Sequence, residues 1–326
     1  MKAIQYTRYG SPDVLQFKEV NKPVLKDNQV LIKVYAASAN PADWHMMRGK
    51  PFLVHMQFGL LRPKHPALGV DLAGRIEAVG SAVTHFRPGD EVFGVPGSGV
   101  LGGSFAEYTA ADEDRVTLKP ANLSFEDVAA VPVAGVTALQ GLRDYGQIKG
   151  GQKVLVNGAA GGVGTFAVQI AKSFGTEVTG VCSTPNLDMV RTIGADHVID
   201  YTKEDFSKNG QRYDLILDAV ANHSVTELSG SLTPTGVLAV VGFGNMFRLF
   251  QTMLLGPRMS KPSGKKFRLV SNVKINSESL DFLKGLLETG KIRPVIDRCY
   301  PLGDTANAIR YLETGHARGK VVVEVA

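Results

Sequence analysis

The chain has 326 residues, of which 44% are hydrophobic and 21% charged, a composition typical of a protein with two packed domains. Its net charge of +5 is spread along the chain instead of forming basic runs, so the charge pattern does not indicate a nucleic-acid-binding protein. The two cysteines, Cys182 and Cys299, form no CxxC pair, which excludes a disulfide framework and a cysteine-rich zinc lobe. With no apolar stretch long enough to span a bilayer, we expect a cytoplasmic protein.

The first 120 or so residues contain short runs of β-forming residues separated by glycine, proline and aspartate. Many short strands with few helices predict a barrel-like β domain. The predicted strands are Leu15 to Val20, Val30 to Ala36, Leu72 to Val79, Glu91 to Val95, Phe105 to Ala110 and Arg115 to Lys119. A helix then begins after Ser124, with Asp127 completing its cap and Pro132 predicting a kink.

From residue 153 onward, buried strands alternate with amphipathic helices, which is typical of a parallel, doubly wound sheet. The predicted strands are 153–156, 177–182, 214–219 and 237–241, and the predicted helices are 164–174, 187–193 and 226–232. The stretch from Met246 to Arg268 interrupts this alternation. Two helices, Ser277 to Glu288 and Thr305 to Thr314, and a strand, Lys320 to Val325, are predicted after it.

The strongest functional signal is the glycine-rich turn that follows the strand at 153–156. A strand, a glycine turn and a helix start bring backbone N–H groups and the positive end of the helix dipole to one point, where a pyrophosphate is stabilised. Gly161 would permit close approach of the cofactor, and Gly164 would permit close packing of the helix on the strand. The spacing differs from a strict GxGxxG, but its context is that of a dinucleotide site. The predicted cofactor contacts in this turn are Gly158, Ala160, Gly161, Gly162 and Val163.

The end of the second strand favours NADPH over NADH as the cofactor. An acidic residue roughly 20 residues beyond the glycine turn binds the ribose hydroxyls of NAD and would repel a 2′-phosphate. The segment from Gly180 to Asn186 contains no acidic residue. Candidates to hold the 2′-phosphate are Ser183, Asn186, Arg191, Tyr201 and Lys203. For Arg191 and Lys203, an ordinary solvated surface charge is an equally good interpretation.

Motifs along the whole chain resemble those of the medium-chain dehydrogenase/reductase superfamily. They are Met1-Lys2-Ala3, Val70 to Gly80, Arg87 to Val92, Ala159 to Gly164, Ile193 to Asp196 and Gly319 to Val323. The resemblance implies an α/β fold with two domains. A GroES-like β-barrel catalytic domain would comprise residues 1–122 and 267–326, and a doubly wound Rossmann NADP(H)-binding domain would comprise residues 123–266. Substrate would bind between them.

The zinc alcohol dehydrogenases of this superfamily carry a cysteine ligand after the early strand and a Gly-His-Glu motif before the later one. This chain has Ser38 and Asn40 at the first place and Gly69-Val70-Asp71 at the second, so the thiolate and imidazole ligands are missing. His45, His55 and His65 lie between these places and are interpreted as loop or cleft residues. We therefore expect no metal.

The segment Asn40-Pro41-Ala42-Asp43 and the segment from Cys182 to Asn186 resemble the zinc-independent quinone oxidoreductase-like branch. The resemblance implies that hydride passes from NADPH to a quinone or an α,β-unsaturated carbonyl, while hydrogen-bond donors stabilise the product oxygen. The predicted catalytic residues are Asn40 near the substrate carbonyl, Thr137 against the nicotinamide or its ribose, and Asp43, for which a helix cap is the alternative. Gly242, Phe243 and Lys320 are also predicted to approach the cofactor.

Alternative interpretations remain at this point. The chain could be an NADPH-binding sensor with little turnover, or a zinc-independent alcohol or aldehyde dehydrogenase-like enzyme. Residues 246–266, apolar and then basic, fit a substrate loop or a dimer contact better than a membrane-surface contact. Phe52, Phe58, Phe243 and Met246 predict an apolar substrate pocket. The family often forms dimers, so we expect a homodimer paired near Val237 to Val241.

Overall fold

A computed structural model describes residues 1–51, 53–97, 103–242, 260 and 264–326. Contacts among its residues divide the chain into two compact units. The first unit comprises Met1–Val133, Ile275–Glu288 and Pro294–Ala326, and the second comprises Ala134–Lys274 and Thr289–Arg293. The chain thus leaves the first unit and later returns to it.

Strands and helices are numbered here in chain order. The strands are β1 (Lys2–Gln5), β2 (Gln16–Glu19), β3 (Gln29–Ala39), β4 (Asp71–Val79), β5 (Glu91–Gly94), β6 (Tyr108–Asp112), β7 (Val116–Leu118), β8 (Lys153–Asn157), β9 (Glu177–Cys182), β10 (His197–Asp200), β11 (Tyr213–Asp218), β12 (Leu232–Val240), β13 (Lys266–Leu269), β14 (Ile296–Pro301) and β15 (Lys320–Glu324). The helices are α1 (Pro41–Arg48), α2 (Leu53–Phe58), α3 (Phe125–Ala129), α4 (Pro132–Gln140), α5 (Gly162–Ser173), α6 (Leu187–Thr192), α7 (Val225–Gly230), α8 (Ser277–Glu288) and α9 (Thr305–Glu313).

The long strand β3 organises the first unit. It pairs antiparallel with β4, β6 and β15, within a sheet ordered β14-β15-β3-β4-β5-β7. Most of its eleven residues are buried, because neighbouring strands cover both of its edges and apolar clusters cover its faces. The pairing of Val321 with Ala39 places the start of β15 beside the end of β3. Residues almost 300 positions apart in the sequence therefore become neighbours.

The second unit is built on a sheet of six parallel strands, ordered β10-β9-β8-β11-β12-β13. Counted within the unit this is the order 3-2-1-4-5-6 of a doubly wound sheet, which confirms the fold predicted from the alternating pattern. The order reverses between β8 and β11. In sheets of this kind, ligands bind outside the carboxyl ends of the strands at the point of reversal.

Two short strands of this sheet, β10 and β13, were not predicted. Lys266 and Arg268 alternate with apolar residues in β13, and this charged four-residue pattern does not resemble a buried strand. Because β13 pairs with β12, the segment from Val237 to Val241 is not an edge strand, and the dimer contact predicted there is wrong. The described edge strands of the sheet are β10 and β13.

The two compact units do not begin and end at the predicted domain boundaries. The boundary predicted after residue 266 falls inside β13, which belongs to the second unit. The boundary predicted after residue 122 precedes α3, which packs on β3 and β4 in the first unit. Both assignments depend on contacts between residues distant in the sequence, and the sequence pattern does not show these contacts.

The helix predicted from Ser124 is two helices. Its predicted cap is present, because the Ser124 hydroxyl accepts a hydrogen bond from the Asp127 N–H at 3.1 Å and the Asp127 carboxylate accepts one from the Ser124 N–H. The expected kink at Pro132 is a break, since α3 ends at Ala129 and α4 begins at the proline. In the parts of the chain that the structure describes, no helix has both the length and the apolar character needed to cross a membrane.

Candidate functional site

The reversal point of the parallel sheet is held by two polar side chains. The Asn157 amide, at the end of β8, donates a hydrogen bond of 2.9 Å to the Asp218 carboxylate at the end of β11. The same carboxylate oxygen accepts the backbone N–H groups of Val220 and Ala221, at 3.1 and 2.9 Å. Sequence reasoning missed both residues. The available signal was a single polar residue closing each of two apolar strands.

The glycine turn begins directly after Asn157. Gly158 has a φ of +82°, a conformation that favours glycine, and Gly161 caps α5 while its own N–H donates to the Gly158 carbonyl at 3.1 Å. The N–H groups of the first helical turn, at Gly162 and Val163, have no preceding helical carbonyl to bond. The five predicted contact residues therefore surround the start of α5 at the reversal point of the sheet.

The close packing of helix on strand predicted for Gly164 is present. A Cβ atom built at Gly164 would lie 2.0 Å from the backbone oxygen of Gly158, a distance that no side chain tolerates. At Gly161 the nearest atom to such a Cβ is the same oxygen at 3.5 Å, an ordinary contact. Packing within the protein therefore requires glycine at position 164. At Gly161 the protein leaves space that a ligand could occupy.

Three predicted 2′-phosphate ligands lie together after β9 and β10. The Asn186 amide donates to the Ser183 hydroxyl at 3.1 Å, and the Tyr201 N–H donates to the Cys182 carbonyl at 3.1 Å, which brings the ends of the two strands together. Tyr201 is 57% exposed. Burial raises the pKa of the Cys182 thiol to about 11, so this neighbour contributes no negative charge near neutral pH.

The oxygen atom of the Asn186 side chain is buried, and among the described residues it has no hydrogen-bond partner. A buried acceptor without a donor is unusual in a native structure and points to a missing ligand or water. A nucleotide supplies suitable donors in its ribose hydroxyl and adenine amino groups. This atom and the open space at Gly161 both fit a dinucleotide.

The other two candidates, Arg191 and Lys203, contact carboxylates of the chain itself. Arg191 is paired with Asp188 at 2.9 Å, and Lys203 lies 3.6 Å from Asp200. Hydrogen bonds from Thr184 and Thr202 lower the pKa of Asp200 to about 2, so this carboxylate stays charged. These contacts favour the surface-charge interpretation, and a role for Arg191 in phosphate binding stays a prediction.

The remaining predicted cofactor residues of the second unit lie on α4 and after β12. Thr137 is half-buried and lies one helical turn before Gly141. A Cβ atom built at Gly141 would lie 2.7 Å from the Leu217 side chain, so the chain packs closely on β11 at this point. Gly242 donates its N–H to the Asp218 carbonyl at 3.2 Å, so it lies at the carboxyl end of the sheet. Phe243, Phe52 and Met246 lie outside the described residues, as does most of the 246–266 segment, so the apolar pocket stays a prediction.

A buried polar cluster occupies the first unit, with Asp71 at its centre. One oxygen of its carboxylate accepts hydrogen bonds from the Ser38 hydroxyl at 2.6 Å and the Asn40 amide at 2.9 Å, and lies 3.2 Å from the Lys320 ammonium. The other oxygen accepts the N–H of Val133 at 2.8 Å. Asp71 has no exposed surface, so these four donors replace its hydration.

The side chain of Lys320 is 3% exposed, and its ammonium group uses its three protons inside this cluster. Besides Asp71 it donates to the Asn40 side-chain oxygen at 2.7 Å and reaches the Ala39 carbonyl at 3.4 Å. The Asn40 amide group donates to Asp71 and to the Ser38 carbonyl, so its protons are used as well. A cofactor contact from Lys320 and a substrate contact from Asn40 stay predictions, because in this conformation their donors are already bonded.

Asp43 adopts the capping geometry considered for it. Its carboxylate accepts the N–H of Asn40 at 2.8 Å, at the start of α1, and the N–H of Gly69 at 3.1 Å. The side chain is fully buried. Burial, supported by the nearby negative charge of Asp71, raises the pKa of Asp43 to about 7.

The residues found at the two places of the missing zinc ligands thus surround an ammonium group. Ser38, Asn40 and Asp71 all belong to the cluster around Lys320. Across the described ranges, no group of three or more histidine, cysteine, aspartate or glutamate side chains is arranged to hold a metal ion. The expected absence of a metal stays a prediction.

In one unit a glycine turn lies where the order of the parallel strands reverses, and in the other the returning chain completes the sheet. These two features are those of a two-domain dehydrogenase or reductase. Two family models match. The "Alcohol dehydrogenase GroES-like domain" matches residues 26–121, and the "Zinc-binding dehydrogenase" model matches residues 193–323.

Known proteins agree with these models over the whole chain. The 2-methylene-furan-3-one reductase of Solanum lycopersicum is 39% identical over 99% of this chain and 79% of its own length. The NADPH-dependent alkenal/one oxidoreductase of Arabidopsis thaliana is 36% identical over the same shares. The quinone oxidoreductase structure from Coxiella burnetii is 33% identical, with a TM-score of 0.87 over 100% of this chain and 99% of that one. The chain belongs to the medium-chain dehydrogenase/reductase superfamily.

Replacing each of two turn glycines by alanine separates packing from ligand binding. In Gly164→Ala the new Cβ collides with the Gly158 backbone, so we expect a loss of about 1–3 kcal/mol in the free energy of unfolding. Gly161→Ala has ordinary contacts and should leave the unfolding transition unchanged while weakening NADPH binding. Urea unfolding and NADPH titration measure the two effects. Equal unfolding transitions for the two variants would contradict this assignment.

Removal of the buried ammonium should destabilise the protein strongly. Lys320→Met leaves the Asp71 charge buried without its counterion, which we expect to cost about 3–5 kcal/mol. The control Lys22→Met removes an exposed ion pair with Glu77 and should cost far less. Adding Asp71→Asn to Lys320→Met should recover part of the loss. If both single variants unfold at the same urea concentration, the cluster is not the anchor described here.

The raised pKa of Asp43 predicts a pH dependence of stability. Between about pH 4 and about pH 7 the folded protein binds a proton that the unfolded chain has released, so this group's contribution to the free energy of unfolding falls as pH rises. Other carboxylates also titrate, so the quantity to measure is the difference between the native protein and Asp43→Asn across this range. That difference should shrink as pH rises. A difference independent of pH would show that Asp43 is ionised throughout.

Proposed function

We propose that the protein is an NADPH-dependent reductase that transfers hydride to a quinone or an α,β-unsaturated carbonyl without a metal. The observation that carries this proposal is the glycine turn at the reversal point, combined with a β9 end that has Ser183 and Asn186 instead of an acidic residue. The names of the relatives, 2-methylene-furan-3-one reductase, alkenal/one oxidoreductase and quinone oxidoreductase, support the same substrate class.

NADPH, when bound, would supply the hydride for the conjugated system. The start of α5, with Gly161, Gly162 and Val163, would bind the pyrophosphate through backbone N–H groups. The hydroxyls of Ser183 and Tyr201 would donate to the 2′-phosphate, and the Asn186 oxygen would accept a hydrogen bond from a ribose hydroxyl or an adenine amino group. Thr137 and Gly242 are the proposed contacts near the nicotinamide.

The chain's own contribution in this proposal is mainly positioning. Holding two reactants in the correct geometry supplies a large part of the rate enhancement in such a reaction. Hydrogen bonds to Asp71 and Lys320 hold the Asn40 side chain in one orientation at the start of α1. For Asn40 itself to donate to a substrate oxygen, its bond to Asp71 or to the Ser38 carbonyl would have to be exchanged.

A homodimer and a cytoplasmic location are also part of the proposal. The described edges of the nucleotide-binding sheet, β10 and β13, are the strands with unpaired backbone groups that a partner subunit could use. Neither assignment affects the chemistry proposed above.

The activity is tested by following NADPH oxidation with quinones and enones at matched concentrations, in buffer containing a metal chelator. We expect turnover with at least one of these substrate classes and a clear preference for NADPH over NADH. Turnover that requires added zinc, or a strong preference for NADH, would contradict the proposal. Tight NADPH binding without turnover of any substrate would favour the sensor interpretation.

Ser183→Asp tests the 2′-phosphate site directly. A carboxylate at this position would repel the phosphate, so we expect NADPH affinity to fall at least about tenfold more than NADH affinity. Gln211→Asp adds the same charge in the exposed loop before β11 and serves as the control. This loop lies at the amino-terminal ends of the parallel strands, whereas Ser183 lies at their carboxyl ends. Equal losses for both cofactors in Ser183→Asp would remove Ser183 from the phosphate site.

A further inference from the structure

A carboxylate lies beside the proposed 2′-phosphate site, although the end of β9 contains no acidic residue. Asp200 closes β10, and the parallel pairing of β10 with β9 places it opposite Cys182, directly before Ser183. Its side chain is 9% exposed, and hydrogen bonds, first of all from the Thr184 hydroxyl, hold its pKa at about 2. A negative charge at this place opposes the binding of a phosphate, so its presence there needs a physical reason.

Asp200 holds the residue that follows each of the two proposed phosphate ligands. One carboxylate oxygen accepts the Thr184 hydroxyl at 2.5 Å, and Thr184 directly follows Ser183. The other oxygen accepts the hydroxyl and the N–H of Thr202, at 2.7 and 3.0 Å, and Thr202 directly follows Tyr201. A single side chain therefore joins the loop after β9 to the loop after β10, next to both ligands.

The protons of the hydroxyl groups in these two loops are divided by this arrangement. An ionised carboxylate only accepts, so Thr184 and Thr202 both direct their hydroxyl protons at Asp200, and their oxygens, 3.2 Å apart, share none. These two hydroxyls have no proton left for a phosphate. The Ser183 hydroxyl accepts the Asn186 amide instead, so its own proton is available to a ligand.

Tyr201 carries the corresponding donor in the loop after β10. Its side chain is 57% exposed, and among the described residues its hydroxyl has no partner. Each loop thus has one hydroxyl that is free to donate, next to one that Asp200 fixes. The Lys203 ammonium lies 3.6 Å from the same carboxylate and partly balances its charge, which reduces the repulsion on a phosphate nearby.

We propose that Asp200 is a positioning residue that determines the preference for NADPH over NADH. Its carboxylate holds Thr184 and Thr202, and through them it fixes Ser183 and Tyr201 in the arrangement that receives the 2′-phosphate. The proposal rests on the proposed function in taking NADPH as the ligand. Repulsion between the carboxylate and the phosphate acts in the opposite direction, so the sign of the change on removing Asp200 decides which effect is larger.

Positioning outweighs repulsion for two physical reasons. The charge of Asp200 is compensated by three donated hydrogen bonds and by Lys203, and salt screens what remains near the surface. A hydroxyl that moves out of hydrogen-bond range, in contrast, loses a bond to a charged phosphate, which corresponds to about tenfold or more in affinity.

The binding experiment compares Asp200→Ala with Asp196→Ala. Asp196 is a matched control because its carboxylate also joins two segments, accepting Lys172 and the Val178 N–H, but at the amino-terminal ends of the same two strands. Calorimetry measures the affinities for NADPH and NADH, and for the fragments 2′,5′-ADP and 5′-AMP. The members of each pair differ only in the 2′-phosphate, so a general loosening of the fold affects both members equally.

In Asp200→Ala the ratio of NADPH affinity to NADH affinity should fall at least about tenfold, and the ratio for the two fragments should fall with it. Asp196→Ala should keep the native ratios. Unchanged ratios in Asp200→Ala would overturn the proposal. Raised ratios would overturn it as well, because repulsion would then be the larger effect.

Two further variants do not depend on the folding of Asp200→Ala. Asp200→Asn keeps an oxygen for both Thr202 donors, and its amide group can donate to the Thr184 hydroxyl, so the connection remains while the charge is lost. This variant should keep the native preference for NADPH or exceed it. Thr184→Val preserves the shape of the side chain but breaks the connection to the loop after β9, so it should lower the preference. The proposal is wrong if Asp200→Asn loses the preference or if Thr184→Val keeps it in full.

Failure of the proposed function has a different signature. A native protein that binds NADPH no better than NADH would contradict the proposed function, and this proposal with it, since Asp200 would have no preference to determine. A native preference for NADPH that survives in Asp200→Ala would leave the proposed function intact and overturn only the role of Asp200.

Discussion

The buried carboxylate of Asp71 is the constraint on which the first unit depends. A charged group without exposed surface is stable only when hydrogen bonds and an opposite charge replace its water, and Asp71 has four such donors. They come from β3, from the residue that caps α1, from the start of α4 and from β15. Loss of any one would leave the remaining charge poorly solvated. The cluster therefore behaves as a unit, and it fixes the relative positions of four segments that are distant in sequence.

In the second unit, an amide and a buried carboxylate perform a similar task through hydrogen bonds. Asn157 and Asp218 join the two strands between which the sheet order reverses. Their position leaves the first N–H groups of α5 directed outward, where a phosphate can replace the missing helical acceptors. Asn157 also contacts Asn222, which contacts His223, and His223 in turn lies 3.4 Å from Asp205 in the loop after β10. The first unit therefore buries the ion pair of Asp71 and Lys320, whereas the second leaves the first N–H groups of α5 available to a ligand.

The sequence predicted those features that are local. The glycine turn, the cap at Ser124 and the strands with continuous apolar runs are visible in a few adjacent residues, and the structure contains them. Short strands with charged residues, such as β13, lack that signal. Contacts across the chain are not visible in the sequence: Lys320 is predicted as a cofactor contact because it lies on the returning C-terminal strand, yet its partners Asn40 and Asp71 are 280 and 249 positions away.

The pairing of β15 with β3 also sets an order for events during protein synthesis. All strands of the second unit lie between residues 134 and 274, and its last segment is Thr289–Arg293, so this unit can fold once residue 293 has left the ribosome. The first unit cannot, because its central strand lacks a neighbour and Asp71 lacks its counterion until residues 320–324 have been made. For most of translation, the N-terminal third of the chain exposes an unpaired strand edge, and protection by a chaperone would matter most in that interval.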